Sequence, residues 1–163
     1  MRPVLHTLIV FGAWGILSQL QAFRPISVAP DSDIALSGFD VVSYHVAKAP
    51  QKGHPSFQVK WSGAYWRFAS QTNMRKFKAN PKKFAPEFGG YCASGMAGGG
   101  EEVHACNPTV YTFQEGRLIV FSSQAELERW KANPDAALEA GLKKYQALLT
   151  ESDPLDTDTV TEG

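Results

Sequence analysis

The sequence carries no excess charge of either sign, with 16 Lys and Arg against 16 Asp and Glu. That balance removes the field that gathers nucleic acid or an anionic membrane surface, so neither is an expected partner. Sulfur and imidazole are also scarce, at two Cys, three Met and four His, which excludes a disulfide-dense scaffold. The glycines Gly98 to Gly100 are not followed by Gly-Lys-Ser or Gly-Lys-Thr, so they form no phosphate cradle. Paired carboxylates for acid–base work are missing too, and Glu101 and Glu102 read as solvated.

What the chain does hold is apolar and aromatic. Hydrophobic residues make up 44% and include 10 Phe, 5 Tyr and 4 Trp, enough to bury a real core. A length of 163 residues suits one domain and is short for two.

Arg2 precedes an apolar stretch from Val4 to Leu20, broken only by His6, Thr7, Ser18 and Gln19, and Leu20-Gln21-Ala22 offers a small-residue cleavage site. Residues 1–22 therefore read as a signal peptide, predicting a periplasmic or extracellular protein that meets the membrane only if the segment stays uncleaved. Residues 23–33 are Pro-rich without periodicity and read as a linker. Residues 151–163, acidic and poor in large apolar side chains, read as a disordered tail. The folded domain is expected over 34–150.

Within it one pattern occurs twice. Phe57–Trp61 and Ala64–Phe68 flank Ser62-Gly63 as a hairpin, and Ser70 opens a helix that stops at Asn80-Pro81. Val110–Phe113, the turn Glu115-Gly116, Leu118–Phe121, and a helix from Ser123 to the stop at Asn133-Pro134 repeat that order. Gly63 and Gly116 lie 53 positions apart, as do the two Lys-Ala-Asn-Pro runs that start at Lys78 and Lys131. Met74, Phe77 and Phe84 are the expected core residues after the first hairpin, and Leu127 and Trp130 after the second. A third helix, with Pro134 at its first position, carries the stripe Leu138, Leu142, Tyr145, Leu149, predicted to dock on the sheet; Gly141 weakens it slightly. The fold class is α+β: a small, mostly antiparallel sheet from two hairpin–helix units with a further C-terminal helix.

Between the units, residues Gly89–Pro108 follow neither period, and they hold Cys92, Met96, His104 and Cys106. In an oxidising compartment the two cysteines predict a Cys92–Cys106 disulfide that pins the loop. The same donors also suit a soft transition metal, copper or zinc, with His45 and His54 as possible additional ligands. A reactive thiol at Cys92, activated by His104, is a third reading. Asp40 reads as a turn residue bonding nearby backbone.

Four stretches resemble secreted YHS-domain proteins: SGFDVVSYH at Ser37–His45, WSGAYWRFAS at Trp61–Ser70, ANPKKFAPEFGGYCA at Ala79–Ala93, and the hairpin near Gly116. The resemblance spans about residues 34–132 and implies an α+β domain; the broader family implies heavy-metal binding. Its metal-type members place cysteines where this chain has Ser43, Ala69 and Asn73, so a metal site here rests on the local set Cys92, Met96, His104 and Cys106. Gly90-Tyr91-Cys92 matches the secreted branch, for which the resemblance implies no defined activity. The expectation is a binding module, not an enzyme, taking a metal ion or an unidentified protein or small-molecule partner.

Overall fold

A pair of φ angles explains both hairpins. Ser62 and Gly63 stand at 51° and 76°, and Glu115 and Gly116 at 52° and 78°, the two left-handed residues of the tight turn that matches strand twist. The computed structural model that shows this describes residues 23–98, 103–151 and 161–162. The leader expected at 1–22 and tail residues 152–160 and 163 lie outside the described residues.

The described chain begins with a short 3-10 turn and β1 (Phe39–Asp40), α1 (Val41–Val46) and β2 (Gln51–Lys52). The first unit follows as β3 (His54–Trp61), β4 (Ala64–Phe68), α2 (Gln71–Ala79) and the single turn α3 (Pro81–Phe84). After α4 (Ala93–Ala97) comes the second unit, β5 (Asn107–Gln114), β6 (Arg117–Phe121) and α5 (Gln124–Lys131), then α6 (Pro134–Glu151). Ser70 Oγ accepts from Asn73 N and Ser123 Oγ from Glu126 N, so both helices start on the expected caps. The duplication extends to irregularity: the register of the first hairpin slips between His54 and Gln58, and that of the second between Asn107 and Tyr111, again 53 positions on.

The α+β class stands, with two hairpin–helix units and a C-terminal helix. The hairpins do not join one sheet, however, contrary to the sequence expectation; each belongs to a separate small antiparallel sheet. The reason lies at their edges. Asp33–Ala35 closes the outer edge of β4, with Tyr65 N donating to Asp33 O and Ala35 N to Tyr65 O, and Pro86–Glu87 closes that of β6 through Glu87 N to Leu118 O at 2.9 Å. The outer edges of β4 and β6 are thereby closed to each other.

Side chains join them instead. β6 is buried on both faces: Leu118 and Val120 enter a cluster with Val59, Trp66, Phe68 and Phe77, while Ile119 and Phe121 enter another with Phe88, Met96, Leu127 and Trp130. Phe84 is buried as predicted, and Met74 packs partly buried against the first cluster.

Three further expectations change. The segment read as a linker is packed onto the domain as a strap: Ile26 is 4% exposed, Phe23 stacks on Tyr91 at 5.2 Å, and Tyr145 Oη donates to Pro25 O at 2.6 Å. Its apolar anchors lack any period, which hid them in the sequence. Thr161–Glu162, inside the predicted disordered tail, pairs antiparallel with Val59 and Lys60 of β3, using the edge that β4 leaves open. Finally, α6 packs mainly on α4 and α5 rather than on a sheet, with Leu138 buried in the second cluster.

Gly141 has a role beyond weakening that helix. A methyl group there would stand 2.7 Å from Phe88 Cζ, and Phe88 is itself held by Trp130 and Tyr145 at ring separations of 6.2 and 6.0 Å. Gly141→Ala gains about 1 kcal/mol of helix propensity and loses about 1–3 kcal/mol to overpacking. The expected outcome is a net destabilisation of roughly 1 kcal/mol in urea titration; a stabilised variant would show that Phe88 moves freely.

Candidate functional site: a two-thiol face

Two three-residue stretches of the long loop meet as a minimal antiparallel ladder. Tyr91 pairs with Ala105, Cys92 N donates to His104 O at 2.8 Å, and Cys106 N donates to Gly90 O at 3.2 Å. The pairing places Cys92, His104 and Cys106 at neighbouring positions of the two stretches. Cys92 is directly across from His104 and diagonal to Cys106. Cys92 also leads into α4, where Met96 N donates to Cys92 O at 3.0 Å, putting Met96 one turn further along. A methyl at Gly95 would sit 4.0 Å from both Cys92 Cβ and His104 Cδ2, so the glycine fits closely between those two side chains.

Burial divides the set. Cys92 and Met96 are 1% and 0% exposed and belong to the second cluster, Cys106 is half-buried against the first, and His104 is exposed. Ser122 Oγ donates to Cys92 Sγ at 3.3 Å. Burial pushes the Cys106 thiol up to about 12; a backbone hydrogen bond at Cys106 opposes the shift and the neighbouring Cys92 adds to it. Reactive thiols need exposure, so the burial of Cys92 runs against its reading as an activated nucleophile.

The expected disulfide is absent, and both cysteines are free thiols. Register supplies the reason: diagonal positions lie about 7–8 Å apart at Cα, beyond the roughly 4.4–6.8 Å that a disulfide spans.

The remaining candidate ligands sit elsewhere. His54 heads β3 with its Nδ1 accepting from Ser56 N at 3.2 Å. His45, on α1, lies edge-on to Phe84 and Phe113 at 5.2 and 4.9 Å, its Nε2 buried without a partner. Among the described residues no group of three or more His, Cys, Asp or Glu stands ready to hold a metal ion, so neither histidine completes a shell around the thiols.

His45 instead makes the fold acid-sensitive. Burial lowers its pKa, a backbone hydrogen bond at Phe84 opposes this, and Lys48 and Lys83 reinforce it. The folded state thus binds the proton less well than the unfolded chain, whose imidazole titrates near 6.5. Stability is full above that pH and falls as the pH drops below it toward the lowered value. His45→Phe, which keeps the aromatic packing, is expected to flatten the fall in urea midpoint between pH 7.5 and 5.5; an unchanged slope would assign it to other groups.

Sequence reasoning missed Ser122, whose position at the end of β6 is its only signal. It also missed Tyr44, whose hydroxyl donates to Pro108 O at 2.6 Å and fixes the loop exit; burial chiefly raises its pKa. Among the described residues no helix is long and apolar enough to cross a membrane. Compared with known proteins, the chain matches no family model, no curated protein and no solved structure.

Proposed function

We propose that the protein is an exported binding module that takes one Cu(I) ion between Cys92 and Cys106. The observation that carries this reading is the Tyr91–Ala105 pairing, which brings two free thiols to neighbouring positions of the paired stretches. Thiolate and thioether donors select Cu(I), and Met96 and His104 adjoin Cys92 along the helix turn and across the ladder. Zinc fits less well. It takes four N, S or O donors, and among the described residues no group of three or more His, Cys, Asp or Glu is gathered to hold such an ion.

The diagonal offset that disfavours a disulfide suits a metal. With metal–sulfur bonds of about 2.3 Å, a bridging ion lets the two sulfurs stand up to ~4.6 Å apart, against about 2.05 Å for a disulfide. The apolar N-terminal stretch supports export, and the resemblance to secreted YHS-domain proteins supports binding over catalysis.

The test is titration of the reduced protein with Cu(I) against a chromophoric competing chelator. One equivalent per chain is expected, abolished by Cys92→Ser or Cys106→Ser. Met96→Leu and His104→Ala should keep the stoichiometry and weaken affinity by roughly tenfold or more. Uptake no greater than that of the double cysteine variant would overturn the proposal.

A further inference from the structure

The balance of charge over the whole chain hides a segregation. Residues 41–86 hold nine Lys and Arg and no Asp or Glu, whereas residues 151–163 hold five Asp and Glu and no Lys or Arg. Apart from Lys78 and Lys82, none of the nine makes an ion pair among the described residues. Of these, Lys48, Lys52, Lys60, Arg75, Lys76 and Lys83 are exposed. The first unit therefore carries a surplus of positive charge, which raises the local concentration of anions.

A strand edge lies within that unit. β3 pairs with β4 on one side, and among the described residues only Val59 and Lys60 are covered on the other, by Glu162 and Thr161. Pro55 has no N–H to offer, and Ser56 N already donates to His54 Nδ1 at 3.2 Å. The edge best placed to accept a ladder thus runs from Phe57 to Trp61. Phe57, Val59 and Trp61 belong to the first cluster, and Gln58 Oε1 accepts from Arg67 Nε at 3.0 Å. The edge is ordered before anything is added to it, which lowers the entropy cost of adding a strand.

The segment found on this edge comes from the acidic stretch itself. Strand addition of this kind is how sheet edges take peptide partners, with main-chain hydrogen bonds giving affinity and nearby side chains giving selectivity. We propose that the Phe57–Trp61 edge docks an extended acidic segment of a partner protein, with Thr161–Glu162 of the chain itself as the built-in competitor. Selectivity for acid follows from Lys60 on the pairing strand and from the surplus of cations in the same unit. The site shares no residue with the thiol pair and does not depend on copper.

The probe is a fluorescein-labelled peptide of sequence 151–163, titrated into the full chain and into its double variant Thr161→Pro, Glu162→Pro, whose prolines remove the ladder donors of the competitor. A tethered competitor acts at about 1 mM, so against a peptide Kd of roughly 100 µM the double variant should bind about tenfold more tightly than the parent. Binding should move the backbone amide resonances of Phe57 to Trp61 and leave those of Tyr91 and Ala105 in place. Two control peptides separate the sources of affinity. One, with Asn and Gln for every Asp and Glu, should bind at least about tenfold more weakly. The other keeps the acids but carries Thr159→Pro and Thr161→Pro, and should not bind. Equal binding of the proline peptide would mean charge capture without strand addition and would overturn the docking site, as would no saturable binding by the double variant. Equal binding of the amide peptide would overturn the acidic partner, and equal affinity of parent and double variant would overturn the competitor.

Discussion

Asp40→Ala is expected to lower the unfolding free energy by about 3–5 kcal/mol. Its carboxylate is 0% exposed and accepts four hydrogen bonds. Oδ1 takes Val42 N at 2.9 Å and Ser43 N at 3.3 Å, capping α1; Oδ2 takes Ala69 N at 2.9 Å and Asn73 Nδ2 at 2.6 Å. Loss of the cap alone costs about 1 kcal/mol. The larger share comes from the donors of Ala69 and Asn73, since each buried donor left unsatisfied costs about 1–3 kcal/mol. Urea titration measures the loss as a fall in midpoint at constant slope. Asp40→Asn separates the two roles, because its amide turns a donor toward Ala69 N and Asn73 while its oxygen still caps α1. A cost below about 1 kcal/mol for Asp40→Ala would mean that water reaches these donors.

Gly89→Ala is expected to cost about 3 kcal/mol and to release the strap. Gly89 has a φ of +62°, and a side chain there would collide with Pro25 O and stand 2.8 Å from Tyr145 Oη. The left-handed backbone alone costs alanine about 1–2 kcal/mol. Relieving the collision moves the strap away, breaking Tyr145 Oη to Pro25 O and Ser27 N to Gly89 O, at about 1 kcal/mol each. Limited proteolysis reports this directly. Thermolysin, which cleaves before large apolar residues, should cut between Ser27 and Val28 much faster in the variant than in the parent, and equal rates together with an unchanged urea midpoint would show that the strap contributes little.

Features set by local chemistry were legible in the sequence. The turns at Ser62-Gly63 and Glu115-Gly116 need left-handed residues, and the helices need the caps Ser70 and Ser123, so the 53-residue repeat could be read from the residues that enforce it. The separation of the sheets was not legible, because it depends on Asp33–Ala35 and Pro86–Glu87 occupying strand edges through backbone groups that any residue supplies. The strap escaped for a related reason: its partner Tyr145 lies 120 positions away, and no local pattern encodes that contact.

At the candidate site the residues were legible and their pairing was not. Cys92, Met96, His104 and Cys106 announced themselves by type in a loop without period. Which side chain faces Cys92 depends on register, and a shift of one residue would exchange the faces of the ladder. With Tyr91 opposite Ala105, the imidazole takes the direct position and the second thiol the diagonal one.

The strand Arg117–Phe121, with Leu118 and Val120 turned to one cluster and Ile119 and Phe121 to the other, ties the fates of the two halves together. Neither repeat can melt and leave its twin intact, because the departing half would strip one side of the wall that the other rests on. Thermal denaturation should accordingly proceed as a single transition with equal calorimetric and van't Hoff enthalpies, and the amides of Ile119 and Val120 should exchange with solvent only through global opening.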